Sequence, residues 1–175
     1  MSCDTRVLFF NETDKSYEIE EILHPYPINA IYTSSQITKL FDNNIYEYLH
    51  SVAKLLYYQN KDIPVIHDFT TVQLSNTLEI HIKDMINNID NYMDTNVIYK
   101  TYMGYFDGTT TNIFIGQVSG SIIKGKDSNN FESCFVPKNR RLPLSYYKPI
   151  DSNPRYYAIK KIISHLPDKI INDIF

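Results

Sequence analysis

Dense apolar runs alternate along this chain with stretches that are apolar on one side only. "RVLFF" (6–10) followed by the polar "NETDK" predicts a short buried strand and a turn. In "SYEIEEIL", Ile19, Ile22 and Leu23 stand at helical spacing, so a helix begins soon after Lys15. "NAIYTSS" predicts a second strand. "FDNNIYEYLHSVAKLLYYQN" sets Ile45, Leu49, Val52, Leu55 and Leu56 on one face of an amphipathic helix capped by Asp42 or Asn43. "IPVIHDF" predicts a short strand ending in His67-Asp68, with His67 turned to solvent, and "NTLEIHIKDMINNIDNYM" a second long helix whose face is Leu78, Ile82, Met85, Ile86 and Ile89. "VIYKTYMGYF" and "NIFIGQVSGSII" predict a hairpin closed by "DGTTT", "FESCFVP" a short strand, and "NPRYYAIKKIISHL" a last helix with Pro154 in its first turn. Strands alternating with helices in this order predict an α/β or α+β sheet protein. Without repeats or low-complexity linkers, the 175 residues predict one domain, 1–175.

Glycine in "FIGQVSGSIIKGK" (114–126) interrupts an otherwise apolar strand pattern. Inside a strand, glycine marks a bulge, a bend or a close approach of another backbone.

Composition changes this picture little. Hydrophobic content of 43% and charged content of 21% are those of a folded globular protein. A net charge of -3 supplies no general attraction to nucleic acid or a membrane surface, and neither is expected as a partner. "KNRRLPLSYYK" (138–148) is a local basic patch able to meet phosphates, or a solvated loop. No window approaches the ~20 apolar residues of a membrane-spanning helix. "MSCDTRVLFF" does not read as a signal peptide, and two cysteines, Cys3 and Cys134, point to a reducing, cytoplasmic setting with Cys134 buried and inert.

Candidate chemistry is sparse. Asp68 at a strand's carboxyl end is a candidate metal ligand or general base, or else a turn cap. Lys15, between the first strand and helix, can hold an anion that also feels the helix N-terminus, or else is a surface charge, as most such lysines are. An aromatic ring, a carboxylate and an arginine (Phe131, Glu132 and Arg155) are able together to recognise a nucleobase. No phosphate-binding glycine loop, nucleophile elbow or metalloprotease His pair is present.

In order and spacing these pieces resemble the inosine triphosphate pyrophosphatase family, which removes non-canonical purine nucleotides. "FIGQVSGSIIKGK" is similar to its Phe-x-Gly-x-x-x-Gly-x-Ile strand, "VIHD" to its acidic pair, "FESCFVP" to its aromatic-Asp-Pro-x-Phe segment and "NPRYYAIKKI" to its Ser-His-Arg-x-x-Ala helix. The resemblance implies a single α/β domain with a long twisted mixed sheet, flanking helices and a central cleft. It implies hydrolysis of nucleoside triphosphates to monophosphate and pyrophosphate with Mg2+, in a homodimer. It also assigns roles. Asp68 binds metal or activates water, and Asp42 or Glu47 is a candidate substitute for the second acid, neither falling on the family's position. Asn11, Glu12 and Lys15 form the phosphate loop. Phe131 stacks on the purine, Glu132 and Lys148 contribute to substrate binding, and Arg155 reads the six-position oxygen. The chain departs from the pattern at Glu12 for Asn, His67 for the first acid, Ser133 for Pro, Asn153-Pro154 for Ser-His, and "NIYEYLH" for the acid- and lysine-bearing helix start. Those departures leave a second expectation, a descendant that binds a nucleotide or protein partner without turnover.

Overall fold

The computed structural model describes residues 5–11, 15–33, 44–60 and 62–166. Its strands are β1 (Thr5–Asn11), β2 (Ile28–Thr33), β3 (Val65–Leu74), β4 (Glu79–His81), β5 (Asn96–Phe106), β6 (Thr111–Ile122) and β7 (Phe135–Pro137). Its helices are α1 (Ser16–Leu23), α2 (Ile45–Gln59), α3 (Ile82–Asn87) and α4 (Pro154–His165), with single 3-10 turns at Ile89–Tyr92, Phe131–Ser133 and Ile150–Ser152. The sheet is mixed and seven-stranded, in the order β2-β1-β3-β5-β6-β7, with β4 on β3 off that path. β1 runs parallel to β2 and β3, each connection passing through a helix, whereas β4 and β7 pair antiparallel with their neighbours.

The chain packs as two compact units. The first holds the described residues of 1–69, 102–114 and 158–175, the second those of 70–101 and 115–157. The first unit buries Val7, Leu8 and Phe9 of β1 and Ile19, Ile22 and Leu23 of α1. α2 buries Tyr48, Leu49, Val52, Ala53 and Leu56, the i, i+4 stripe of a core-facing helix. Leu55, expected on that stripe, is 46% exposed. The cap is Asn44, whose side chain accepts the Glu47 N–H at 3.1 Å; Asp42 and Asn43 lie outside the described residues. The second unit is built around Val72, Met85, Val97, Tyr99, Ile122, Phe131 and Phe135, with Cys134 buried among them as expected.

Two elements differ from expectation. β3 does not stop at Asp68 but continues to Leu74, and it turns at Ser75-Asn76-Thr77 into β4. Thr77 is left-handed (φ 67°), and the Asn76 side chain accepts the Leu78 N–H at 3.1 Å. This turn chemistry converts the first part of the expected long helix into a hairpin strand. The remainder is α3, capped by the His81 ring nitrogen on the Lys83 N–H at 3.2 Å, followed by the 3-10 turn. Among the glycines of β6, Gly120 admits β7. It pairs with Pro137, and a Cβ there would strike the Val136 carbonyl and the Phe135 ring.

Candidate functional site

In the first unit, β1 and β3 set the scene. Their parallel register pairs Asn11 with Asp68, so the loop that leaves β1 starts beside the Asp68 backbone. Asp68 is 3% exposed. Burial of a carboxylate is costly unless it is paired or hydrogen-bonded, and buried acids recur at functional sites. Lys15 follows the loop as the residue preceding α1, its carbonyl receiving the Ile19 N–H at 3.1 Å and its ammonium 3.7 Å from Glu18. Lysine at a helix N-terminus adds a full positive charge to the partial charge of the first N–H groups. The Asn11 side chain, Glu12 and Asp42 lie outside the described residues.

His67 corrects an expectation. It is fully buried, not solvent-facing, with Phe10 and Tyr48 rings 4.9 and 5.1 Å from its own. On β3 it shares the pleat face of Val65, and residues two apart on a strand point the same way.

In the second unit Glu132 and Lys148 form an ion pair, so two expected substrate-binding residues meet. Glu132 rides on the short turn Phe131–Ser133, where the Asn130 side chain accepts its N–H at 3.1 Å. Phe131 sits at 3% exposure with rings of Tyr99 and Phe135 at 4.9 and 5.4 Å. Its ring packs with these two in the core of the second unit. Arg155 is also 3% exposed. Asn153 caps the start of α4 by accepting the Arg155 N–H at 3.0 Å, and the guanidinium donates to Thr70 Oγ1 at 3.1 Å. Thr70 Oγ1 also stands 3.4 Å from Thr101 Oγ1, a pair in which either hydroxyl is able to donate. Thr70 and Thr101 were not anticipated; only the pairing of two strands brings them to the arginine, and no local signal in "FTTVQL" announces it. Pro154 stands in the first turn of α4, as the sequence predicts.

Among the described residues no group of three His, Cys, Asp or Glu side chains gathers as a metal cage. Magnesium does not require one. It is commonly held by one or two carboxylates together with substrate phosphate oxygens, and Asp68 fits that donor set. No described helix is long and apolar enough to cross a membrane.

Neither a protein-family model nor a curated protein sequence matches the chain. Solved structures do. The Staphylococcus aureus Ham1 protein aligns over 93% of this chain and 99% of its own at TM-score 0.60 and 17% identity. A nucleoside-triphosphatase, described as a dITP/XTP pyrophosphatase, from Mycobacterium abscessus aligns over 92% and 99% at TM-score 0.57 and 8% identity. Likeness at such low identity is likeness of architecture, and the chain has the fold of the inosine triphosphate pyrophosphatase family that its sequence resembles.

Proposed function

We propose that this protein hydrolyses nucleoside triphosphates, non-canonical purine nucleotides foremost, to the monophosphate and pyrophosphate. The observation that carries the reading is the buried carboxylate Asp68 in register with the start of the β1–α1 loop, in a fold shared with a dITP/XTP pyrophosphatase. In the reaction a water oxygen bonds to the α-phosphorus, the α–β bridging bond breaks and pyrophosphate leaves. Asp68 orients the water and takes its proton, or holds Mg2+, which when bound neutralises the triphosphate charge. Lys15, with Asn11 and Glu12 of the loop, meets the phosphates, and Asp42 is the second acid. Glu132, Lys148 and Arg155 serve the base; Arg155 donates only and so favours a keto oxygen over an amino group. Phe131, anchored in the core, positions Glu132 next to it in the chain. A cytoplasmic homodimer belongs to the same reading.

The test is pyrophosphate release with magnesium from ITP and XTP beside ATP, GTP and the deoxy forms. Keto purines are expected to turn over, and Asp68→Asn to reduce the rate by at least a hundredfold while circular dichroism is unchanged. Undiminished turnover in the variant removes Asp68 from the mechanism. A folded wild-type protein that binds nucleotide yet releases nothing across the panel supports the non-catalytic descendant instead.

A further inference from the structure

The start of the basic patch singled out in the sequence, Lys138 to Arg140, has a place in the second unit that the proposed reaction does not use. After β7 the chain makes a tight turn in which the Arg140 N–H donates to the Pro137 carbonyl at 3.0 Å and Asn139 is left-handed, φ 67°. The Lys138 N–H donates back to the Ser119 carbonyl of β6 at 2.9 Å, so the turn is tied to the sheet. Lys138 and Arg140 thereby line a cavity of about 550 Å³ together with the polar Gln73, Ser75, Asn96, Ser119 and Ser121 and with apolar residues such as Val97 and Val136, from β3, β5, β6, β7 and the segments beside them. A second cavity of about 290 Å³ shares Ser119, Pro137, Lys138 and Arg140 with it. The two cations therefore stand where the cavities adjoin.

The chemistry of the lining is selective. Its hydroxyls and amides both donate and accept without carrying charge, which suits the hydroxyl groups of a sugar, and its apolar residues offer surface to the carbon skeleton. The lining residues of the larger cavity include two cations and no acid, in a chain whose net charge is -3. Asp151, from the smaller cavity, is 3.8 Å from Arg140, and both side chains are about half exposed, so an arriving phosphate displaces this contact at small cost. A volume of about 550 Å³ lies within the range of small-molecule sites, which extends over roughly 300–1,000 Å³. Lysine supplies a point charge and arginine a planar fork, both suited to phosphate oxygens.

We propose that this groove binds a phosphomonoester of a sugar or nucleoside, with Lys138 and Arg140 on the phosphate and the serines, Gln73 and Asn96 on the sugar hydroxyls. The lining includes none of Lys15, Asp68 and Arg155, and the proposal stands whether or not the protein is a pyrophosphatase.

The test is calorimetric titration of the full chain with ribose 5-phosphate, inosine monophosphate and inorganic phosphate, in wild type, Asp68→Asn and the double variant Lys138→Glu/Arg140→Glu. At least one phosphomonoester is expected to bind at least tenfold more tightly than inorganic phosphate, to bind Asp68→Asn equally well, and to lose at least tenfold in affinity in the double variant. Equal affinity for the two phosphomonoesters assigns recognition to the sugar phosphate; preference for the monophosphate adds the base. Amide chemical-shift changes at Ser119, Gly120 and Ser121 on titration serve as a second readout that needs no variant. The proposal is overturned if no phosphomonoester binds, if inorganic phosphate binds as tightly, if the double charge reversal leaves affinity intact, or if Asp68→Asn abolishes binding.

Discussion

Arg155 shows how much a single side chain does here beyond its expected role. A guanidinium cannot shed its charge, so its burial demands partners, and Thr70 is one of them. Arg155→Ala is expected to lower stability by about 2–4 kcal/mol, seen as a fall in the urea midpoint, because it removes a buried hydrogen bond and leaves a void. Arg155→Lys retains charge and much of the volume and is expected to lose less. An unchanged midpoint in the alanine variant would show that the buried geometry is not holding the start of α4. The identity of Arg155 as a candidate was readable from "NPRYYAIKKI", and so was Asp68 from "VIHD". Their burial was not, because it depends on which strands lie alongside. His67 makes the same point from the other side: its surroundings come from β1 and α2, far away in sequence.

At the level of elements, the β5–β6 hairpin was fully legible and the β3–β4 hairpin was not. "DGTTT" carries its turn on its face. Asp107 accepts the N–H groups of Thr109 and Thr110 at 2.9 and 3.1 Å, and Gly108 supplies the left-handed residue at φ 103°. The Thr109 N–H first, and the Thr110 N–H with it, hold the Asp107 carboxyl below its usual value of 3.8. A folded value below the unfolded one means stability that is complete above the unfolded value and is lost as pH falls through the folded one. Asp107→Ala is therefore expected to cost about 0.5–1 kcal/mol at neutral pH, the lower figure favoured by the exposure of the turn. The gap between variant and wild type closes in acid below the carboxylate range, and Asp107→Asn, which keeps an acceptor, loses less. Urea titrations at both pH values check this; a gap that persists in acid would assign the effect to something other than the carboxylate. In contrast, "SNTLEIHIKDM" offers apolar residues at helical spacing, and β3 pairing overrules that period by drawing Glu79, Ile80 and His81 into the sheet.

The whole molecule is the scale of assembly. The homodimer implied by the resemblance predicts a sedimenting mass of twice 20.5 kDa at micromolar concentration. A single 20.5 kDa species whose pyrophosphate release is intact would show that the chain needs no partner copy for its chemistry.

Most of the strands and helices, though not β4 or the extent of α3, the turn of the β5–β6 hairpin, and the candidate acid, lysine and arginine follow from local patterns, since period, turn residues and side-chain chemistry act over a few positions. What pairs with what does not. The register of Asn11 with Asp68, the threonine that receives Arg155, the burial of His67 and Phe131, and the gathering of Lys138 and Arg140 over a polar groove join residues distant in sequence. Such contacts are set by the competition among all apolar surfaces for one interior and among all strands for neighbours, and no short window of sequence contains that competition.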